Sequence, residues 1–268
     1  MKMNAGKISL RFIKNIRYLS SNSSIDQNEI VLFNKLSADW WNETGAFKPL
    51  HSFNKIRIPF IRESLVQNGS VKKELINTSN VLKDLYILDV GCGGGLLSEP
   101  LSKLGAKVTG LDADTQAVEV AKKHSTESCL ENVSYVASSI EDHVVGNKGK
   151  YDAVVASEIL EHVSNRENFL KMCVECLKPG GSIIITTMNK TLLADILGIR
   201  IAECIKLVPR GTHQIEKFTE PHEVQRILEK YKCQTTLVHG FRYSVLTNKW
   251  SFSSDTSINY GLSALKLE

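Results

Sequence analysis

No stretch of the chain is apolar for long enough to cross a bilayer, a span that takes about 20 residues. The nearest, LLADILGIRIAECIKLV, is broken by Asp195, Arg200, Glu203 and Lys206. Cysteine is sparse, and the six present are not spaced as a zinc site. Cys173 and Cys176 form a C-x-x-C without a second pair, inside the helical pattern ENFLKMCVECLKPGG. Buried reduced thiols, and so a reducing compartment, are the expectation. Internal repeats and low-complexity tracts are absent from the sequence, which excludes repeat arrays and a disordered chain. The net charge of +4 is mild and comes partly from the first residues, so nucleic-acid binding is not indicated. What is present, 42% hydrophobic and 23% charged residues over 268 positions, fits one globular domain with a full core plus appendages.

Acid is missing from the first 25 residues. Lys2, Lys7, Arg11, Lys14 and Arg17 precede the first carboxylate, Asp26. Ile8, Phe12 and Ile16 fall on one helical face and serines follow. This is the pattern of a mitochondrial transit peptide, and cleavage is expected between Leu19 and Asp26. A secretory signal would need a continuous apolar stretch, which the bases interrupt.

Residues 26–84 read as a mainly helical cap. From residue 85 strand and helix patterns alternate: YILDVGC, LLSEPLSKLG, KVTGLDA, TQAVEVAKKHS with Thr115 as cap, VSYVASS, YDAVVAS, NRENFLKMCVECL and SIIITTMN. Such alternation predicts a mostly parallel sheet with helices on both faces, with ligands beyond the carboxyl ends of its strands.

At the first of those ends, LDVGCGGGLL offers Gly91 and Gly93, but Leu96 stands where a dinucleotide fingerprint needs its third glycine. A nicotinamide dehydrogenase is therefore disfavoured. The pattern is D-x-G-x-G-x-G, Asp89 through Gly95. Glycine permits sharp turns and close backbone approach, and the preceding carboxylate suits a cationic ligand. About 20 residues on, the next strand ends in LDAD, where Asp112 is placed to accept both hydroxyls of a ribose.

After the fourth strand pattern comes ASEILEHV. A helix starting there would put Glu158, Glu161 and His162 at i, i+3 and i+4, on one face. Two carboxylates and an imidazole can bind a metal, move protons or simply face water. The residues alone leave all three open.

The glycine loop, Asp112 and the strand order together resemble the class I S-adenosylmethionine-dependent methyltransferases. The resemblance implies a Rossmann-like α/β fold with a seven-stranded sheet. It implies that the loop lines the methionine part of the cofactor, that Asp112 holds its ribose, and that Ser139 and Ile140 border the adenine. The flanks DWWNETGAFKPLHSFNKIR, SEILEHV, VPRGTHQIEKF and NYGLSA are similar to one branch of that family, the ubiquinone biosynthesis O-methyltransferases in their mitochondrial form, from about residue 28 to 264. One departure is that Lys55 follows Asn54 where the branch usually has proline. It frees one φ angle and leaves Arg57 in place.

That resemblance implies methyl transfer from S-adenosyl-L-methionine to a phenolic oxygen on polyprenylated rings, a dihydroxybenzoate and later a demethyl-ubiquinol. It implies that Arg57, Gly91, Asp112 and Ser157 help hold the cofactor, and that Glu158, Glu161 and His162 hold Mg²⁺. Without the metal, Glu158 would touch the cofactor and His162 would be a candidate general base. His51 and His213 are further candidates to face the acceptor. Association with other ubiquinone-biosynthesis proteins and peripheral contact with the matrix face of the inner membrane are implied as well. An apolar insertion over 190–213 carries Leu193, Leu197, Ile201 and Ile205 on one helical face, read either as core packing or as an interfacial helix. Two other expectations stay open: another small-molecule methyltransferase on the same fold, or a cofactor-binding scaffold subunit of a biosynthetic complex.

Overall fold

The computed structural model describes Ser24 and residues 39–188, 219–244 and 246–268. The apolar insertion, His213 and, apart from Ser24, the leader lie outside the described residues.

Eight strands form one sheet: β1 (Tyr86–Val90), β2 (Lys107–Asp112), β3 (Val133–Ala137), β4 (Tyr151–Ser157), β5 (Leu177–Met188), β6 (Cys233–Ser244), β7 (Lys249–Ser253) and β8 (Asn259–Lys266). Their spatial order is β3-β2-β1-β4-β5-β8-β6-β7. The first five run parallel, and β8 lies antiparallel between β5 and β6. The expected seven-stranded arrangement occupies the first seven places. β7 adds an eighth strand at the edge by folding back on β6 as a hairpin.

The central strands are apolar because both of their faces are covered. Alternation assigns the two faces. Leu88, Val90, Val154, Ala156, Ile183 and Ile185 pack with Phe169, Leu170 and Cys173 of one helix and with Val224 and Leu228 of another. Ile87, Ala153, Val155 and Ile184 pack on the opposite side with Phe53, Phe60, Ile61 and Leu65. The helices are α1 (Lys48–Gln67), α2 (Ser98–Lys103), α3 (Thr115–Glu127), α4 (Ile140–His143), α5 (Arg166–Cys176) and α6 (Pro221–Lys230). Within the range read as a helical cap, α1 packs its buried face against one side of the sheet. Cys173 and Cys176 are free, buried thiols.

Two local expectations are corrected. The cap of α3 is Asp114, whose side chain accepts from the Gln116 N–H, and Thr115 is the first helical residue. After β4 the chain does not enter an α-helix. Glu158 adopts a left-handed φ of 55°, and a single 3₁₀ turn covers Leu160–His162. The i, i+3, i+4 face expected for Glu158, Glu161 and His162 therefore does not form.

Strand order reverses between β1, which pairs with β2 on one side, and β4 on the other. A crevice at the carboxyl ends of these strands follows from the topology.

Candidate active site

A cavity of about 280 Å³ opens at that crevice. The end of β1 supplies Asp89 and the loop after it Gly91 and Gly93, the end of β2 supplies Asp112 and the residues after it Asp114, and the turn after β3 supplies Ser139 and Ile140. The end of β4 contributes Ser157, the segment after it Glu158 and His162, and α1 contributes Arg57. All eight residues expected to bind cofactor thus line one cavity, as do both residues expected to be catalytic. Glu161 is buried beside the cavity and does not line it. His51 does not line the cavity, and its Nε2 is bonded to the Trp40 carbonyl at 2.9 Å.

The glycine loop is shaped by φ values only glycine adopts freely, +76° at Gly91 and +52° at Gly93. A Cβ on Gly93 would also strike the ring of Trp40, itself buried and stacked on Phe47. Asp112 ties the loop to β2: one carboxylate oxygen accepts from Gly93 N–H and the other from Asp114 N–H, both at 2.8 Å. Burial raises the pKa of Asp112, and the backbone N–H groups that point at it pull the other way. A carboxylate has about four lone-pair sites, so Asp112 retains acceptor capacity toward the cavity.

Asp89 is 2% exposed and accepts from Ser98 Oγ at 2.6 Å. Burial pushes its pKa up to about 6, against the opposing effects of the Ser98 bond and of Arg57. The Arg57 guanidinium is buried as well, and loss of solvent lowers its pKa while Asp89 and Glu158 favour its charged form.

Arg57 begins a directed chain of hydrogen bonds. Its Nε and Nη2 donate to Asn54 Oδ1, and its Nη1 donates to Ser157 Oγ at 2.9 Å. Ser157 and Thr186 hydroxyls lie 2.6 Å apart, and Thr186 donates to Glu158 Oε1 at 2.8 Å. A hydroxyl has one proton, so Thr186, having given its own to Glu158, accepts from Ser157. The order Arg57, Ser157, Thr186, Glu158 carries positive polarity from the guanidinium to the carboxylate. Thr187, next along β5, holds the second carboxylate by donating to Glu161 Oε2 at 2.8 Å.

Burial pushes the Glu158 pKa up to about 7, and the charge of Glu161 adds to this against the Thr186 bond, Arg57 and His162. His162 Nε2 sits 4.0 Å from Glu161 Oε1. Among the described residues no three His, Cys, Asp or Glu side chains converge as a metal cage. The donors expected for Mg²⁺ are therefore adjacent but held by the two threonines rather than aimed at one point. Thr186, Thr187, Ser98 and Asn54 are site residues that sequence reasoning missed. A Thr-Thr pair ending the otherwise apolar run SIIITTM was the available signal.

Known proteins share sequence and fold with this chain. A family model described as "Methyltransferase domain" matches residues 88–185. The chain is 41% identical over 250 residues to the ubiquinone biosynthesis O-methyltransferase, mitochondrial, of Rattus norvegicus, covering 92% of this chain and 71% of that protein. It is 42% identical over 255 residues to the Homo sapiens protein of the same name, covering 93% and 67%. It is 40% identical over 239 residues to the ubiquinone biosynthesis O-methyltransferase of Pelagibacter ubique, covering 89% and 97%. Among solved structures, the magnesium protoporphyrin IX methyltransferase of Synechocystis with bound SAH superposes with a TM-score of 0.62 at 19% identity, over 90% of this chain and 100% of that one.

Proposed function

Since the chain belongs to the ubiquinone biosynthesis O-methyltransferases, an S-adenosylmethionine-dependent family, we propose that the cavity at the β1–β4 crevice holds the methyl donor and aligns it with a phenolic hydroxyl beside Glu158. The observation that carries this reading is the placement of Glu158. It is a cavity-lining carboxylate with a left-handed φ, a pKa near 7 and a hydrogen-bond chain of its own. A non-glycine residue in that conformation carries strain of about 1 kcal/mol or more, of the kind retained at functional sites.

Methyl transfer to oxygen is an in-line displacement. The oxygen lone pair forms the new C–O bond as the C–S bond breaks and its electrons return to sulfur, neutralising the sulfonium. Alignment of the three atoms supplies much of the rate. The phenolic proton must leave as well. A phenol titrates near 10, whereas burial holds Glu158 well above the ordinary carboxylate range, which makes it the group in the cavity suited to take that proton. His162, at the same rim, is the alternative acceptor. In this reading Asp89 faces the ammonium group at the amino-acid end of the donor, Gly91 and Gly93 let the backbone approach it, and Arg57 and Ser157 brace the same wall. Asp112 takes the ribose hydroxyls, with Ser139 and Ile140 beside the adenine.

Mg²⁺ belongs to the proposal through Glu158, the carboxylate of the pair that lines the cavity; Glu161, buried beside it, would join only by releasing Thr187, with His162 adjacent. The fit rests on donor chemistry: hard carboxylate oxygens suit Mg²⁺, and a cation would relieve the repulsion by which Glu161 raises the Glu158 pKa. When bound there it would acidify the phenol.

The acceptors in this reading are polyprenylated dihydroxybenzoate and demethyl-ubiquinol rings. Mitochondrial residence follows the mammalian relatives' names and the basic leader. No helix among the described residues is long and apolar enough to cross a membrane, so contact with the inner membrane would be peripheral, through the insertion over 190–213. Ser24 is buried, receives the Ser164 N–H, donates its own N–H to Glu141, and lines the cavity. Leader cleavage therefore belongs before Ser24 in a mature chain that keeps this wall.

An acceptor screen tests the reading: short-tailed catechols beside amine and carbon nucleophiles, each in EDTA and with added Mg²⁺. Methylation of catechol oxygen, raised at least tenfold by Mg²⁺, is expected. Equal turnover in EDTA would remove the metal and leave Glu158 as base. Preference for a nitrogen or carbon acceptor would overturn the assignment.

A further inference from the structure

The outer side of the glycine loop is gripped by the tandem tryptophans. Trp40 blocks the space that a side chain on Gly93 or Gly94 would occupy. Trp41 does something different: its indole Nε1 donates to the Gly94 carbonyl at 2.9 Å. The indole is itself held flat on the imidazole of His124, with centroids 3.5 Å apart and planes 4° from parallel. His124 in turn is fixed by a 2.7 Å bond from Nδ1 to Glu99 Oε1. Glu99 is fully buried. A carboxylate so buried is held by its partners, the His124 ring on one oxygen and Lys103 Nζ 3.9 Å from the other, and this pairing fixes the imidazole under the indole.

These residues come from three separate places in the chain: the segment before α1, the helix after β1 and the helix after β2. They meet at one backbone carbonyl, two residues past Asp89-x-Gly91-x. We propose that Trp41, seated on the His124–Glu99 pair, is the latch that fixes the glycine loop in the shape that receives the methyl donor. Trp41, His124 and Glu99 are then positioning residues: none lines the cavity, and all act through the loop. The inference rests on the glycine loop being the donor's cradle. It also gives the tandem tryptophans separate duties, Trp40 as steric wall and Trp41 as hydrogen-bonding latch.

The test is Trp41→Phe, which keeps an aromatic ring on the stack while removing the N–H together with part of the indole surface. It is read by calorimetric titration with S-adenosylmethionine and by steady-state kinetics on the full chain. Expected are a rise in donor Kd and donor KM of about tenfold, with kcat and acceptor KM unchanged. His124→Ala, which leaves the indole bond but removes its platform, should shift donor KM about threefold in the same direction. Trp250→Phe, which makes the same change of ring but removes an indole bond to the Pro49 carbonyl rather than to the glycine loop, should change neither. Wild-type donor affinity in Trp41→Phe would overturn the latch, as would a parallel fall in kcat and rise in acceptor KM. If Trp41→Phe does not fold, His124→Ala decides by its donor KM alone, and no change there overturns the proposal. A wild-type chain that bound no donor would take down the cradle reading together with the latch, whereas wild-type binding retained in Trp41→Phe takes down the latch only.

Discussion

Asp89→Asn is expected to weaken S-adenosylmethionine binding by about a hundredfold while raising the melting temperature of the ligand-free protein. The two effects share one cause. Asp89 titrates at 3.8 when solvated and about 6 when folded, chiefly because burial disfavours its charge. A carboxylate whose folded pKa is raised contributes stability that is complete below its unfolded value and is lost as pH rises through the folded value. Above pH 6 the buried charge therefore costs about 2–3 kcal/mol of stability, a penalty that a neutral amide of the same shape does not carry. The cost is sensible only if a cation arrives to compensate it. Losing a close charge-assisted contact is worth roughly 2–3 kcal/mol of affinity. The same linkage gives a pH signature. Donor binding should weaken as pH falls below about 6 and should be accompanied there by proton release, both absent in Asp89→Asn. Calorimetry in buffers of different ionisation enthalpy and thermal denaturation at pH 7.5 check the set. A variant that loses both affinity and stability would place Asp89 in a structural role.

Glu158→Gln is the second large effect. Glutamine can keep the Thr186 hydrogen bond and the volume of the side chain, but it neither accepts a phenolic proton at neutral pH nor binds a divalent cation well. Turnover should fall by about a hundredfold to ten-thousandfold, with donor affinity within a few-fold of wild type because the rest of the cavity is untouched. Single-turnover rates and calorimetric titration separate the two. A wild-type rate in Glu158→Gln would remove Glu158 from the chemistry and turn attention to His162.

The parts of this molecule that read directly from the sequence are those dictated by burial. YILDV and YDAVVAS are nearly continuous apolar strands because β1 and β4 lie at the centre of a doubly covered sheet. The glycine loop and Asp112 were legible because a tight, ligand-facing turn constrains residue type at fixed spacing. Lys55, in place of the usual proline, sits inside the continuous helix α1, and Arg57 reaches Ser157 regardless. What did not read was set by contacts between distant residues. Glu158 takes a left-handed turn that its residue type does not announce, held by the β5 carbonyl of Thr186, which accepts the Glu158 N–H at 2.8 Å. That turn replaced an expected α-helix and spread the three ASEILEHV groups. The chain from Arg57 to Ser157 spans 100 positions, beyond any local pattern. His51 sits in a family-like motif, and its bond to the Trp40 carbonyl is a tertiary contact that the motif does not announce. β7 was missed because KWSFS lies on an edge, with little buried surface to impose a pattern.

The central claim, that this cavity transfers a methyl group to a phenolic oxygen, is tested most directly by mass. The full chain is incubated with S-adenosylmethionine carrying a trideuterated methyl group and a short-tailed 3,4-dihydroxybenzoate, and the aromatic product is fragmented to locate the label. The account predicts one labelled methyl ether on the ring, with S-adenosylhomocysteine formed in equal amount and both lost in Glu158→Gln. Donor bound and no labelled ether formed from any catechol, with Mg²⁺ and anionic vesicles supplied, would contradict it.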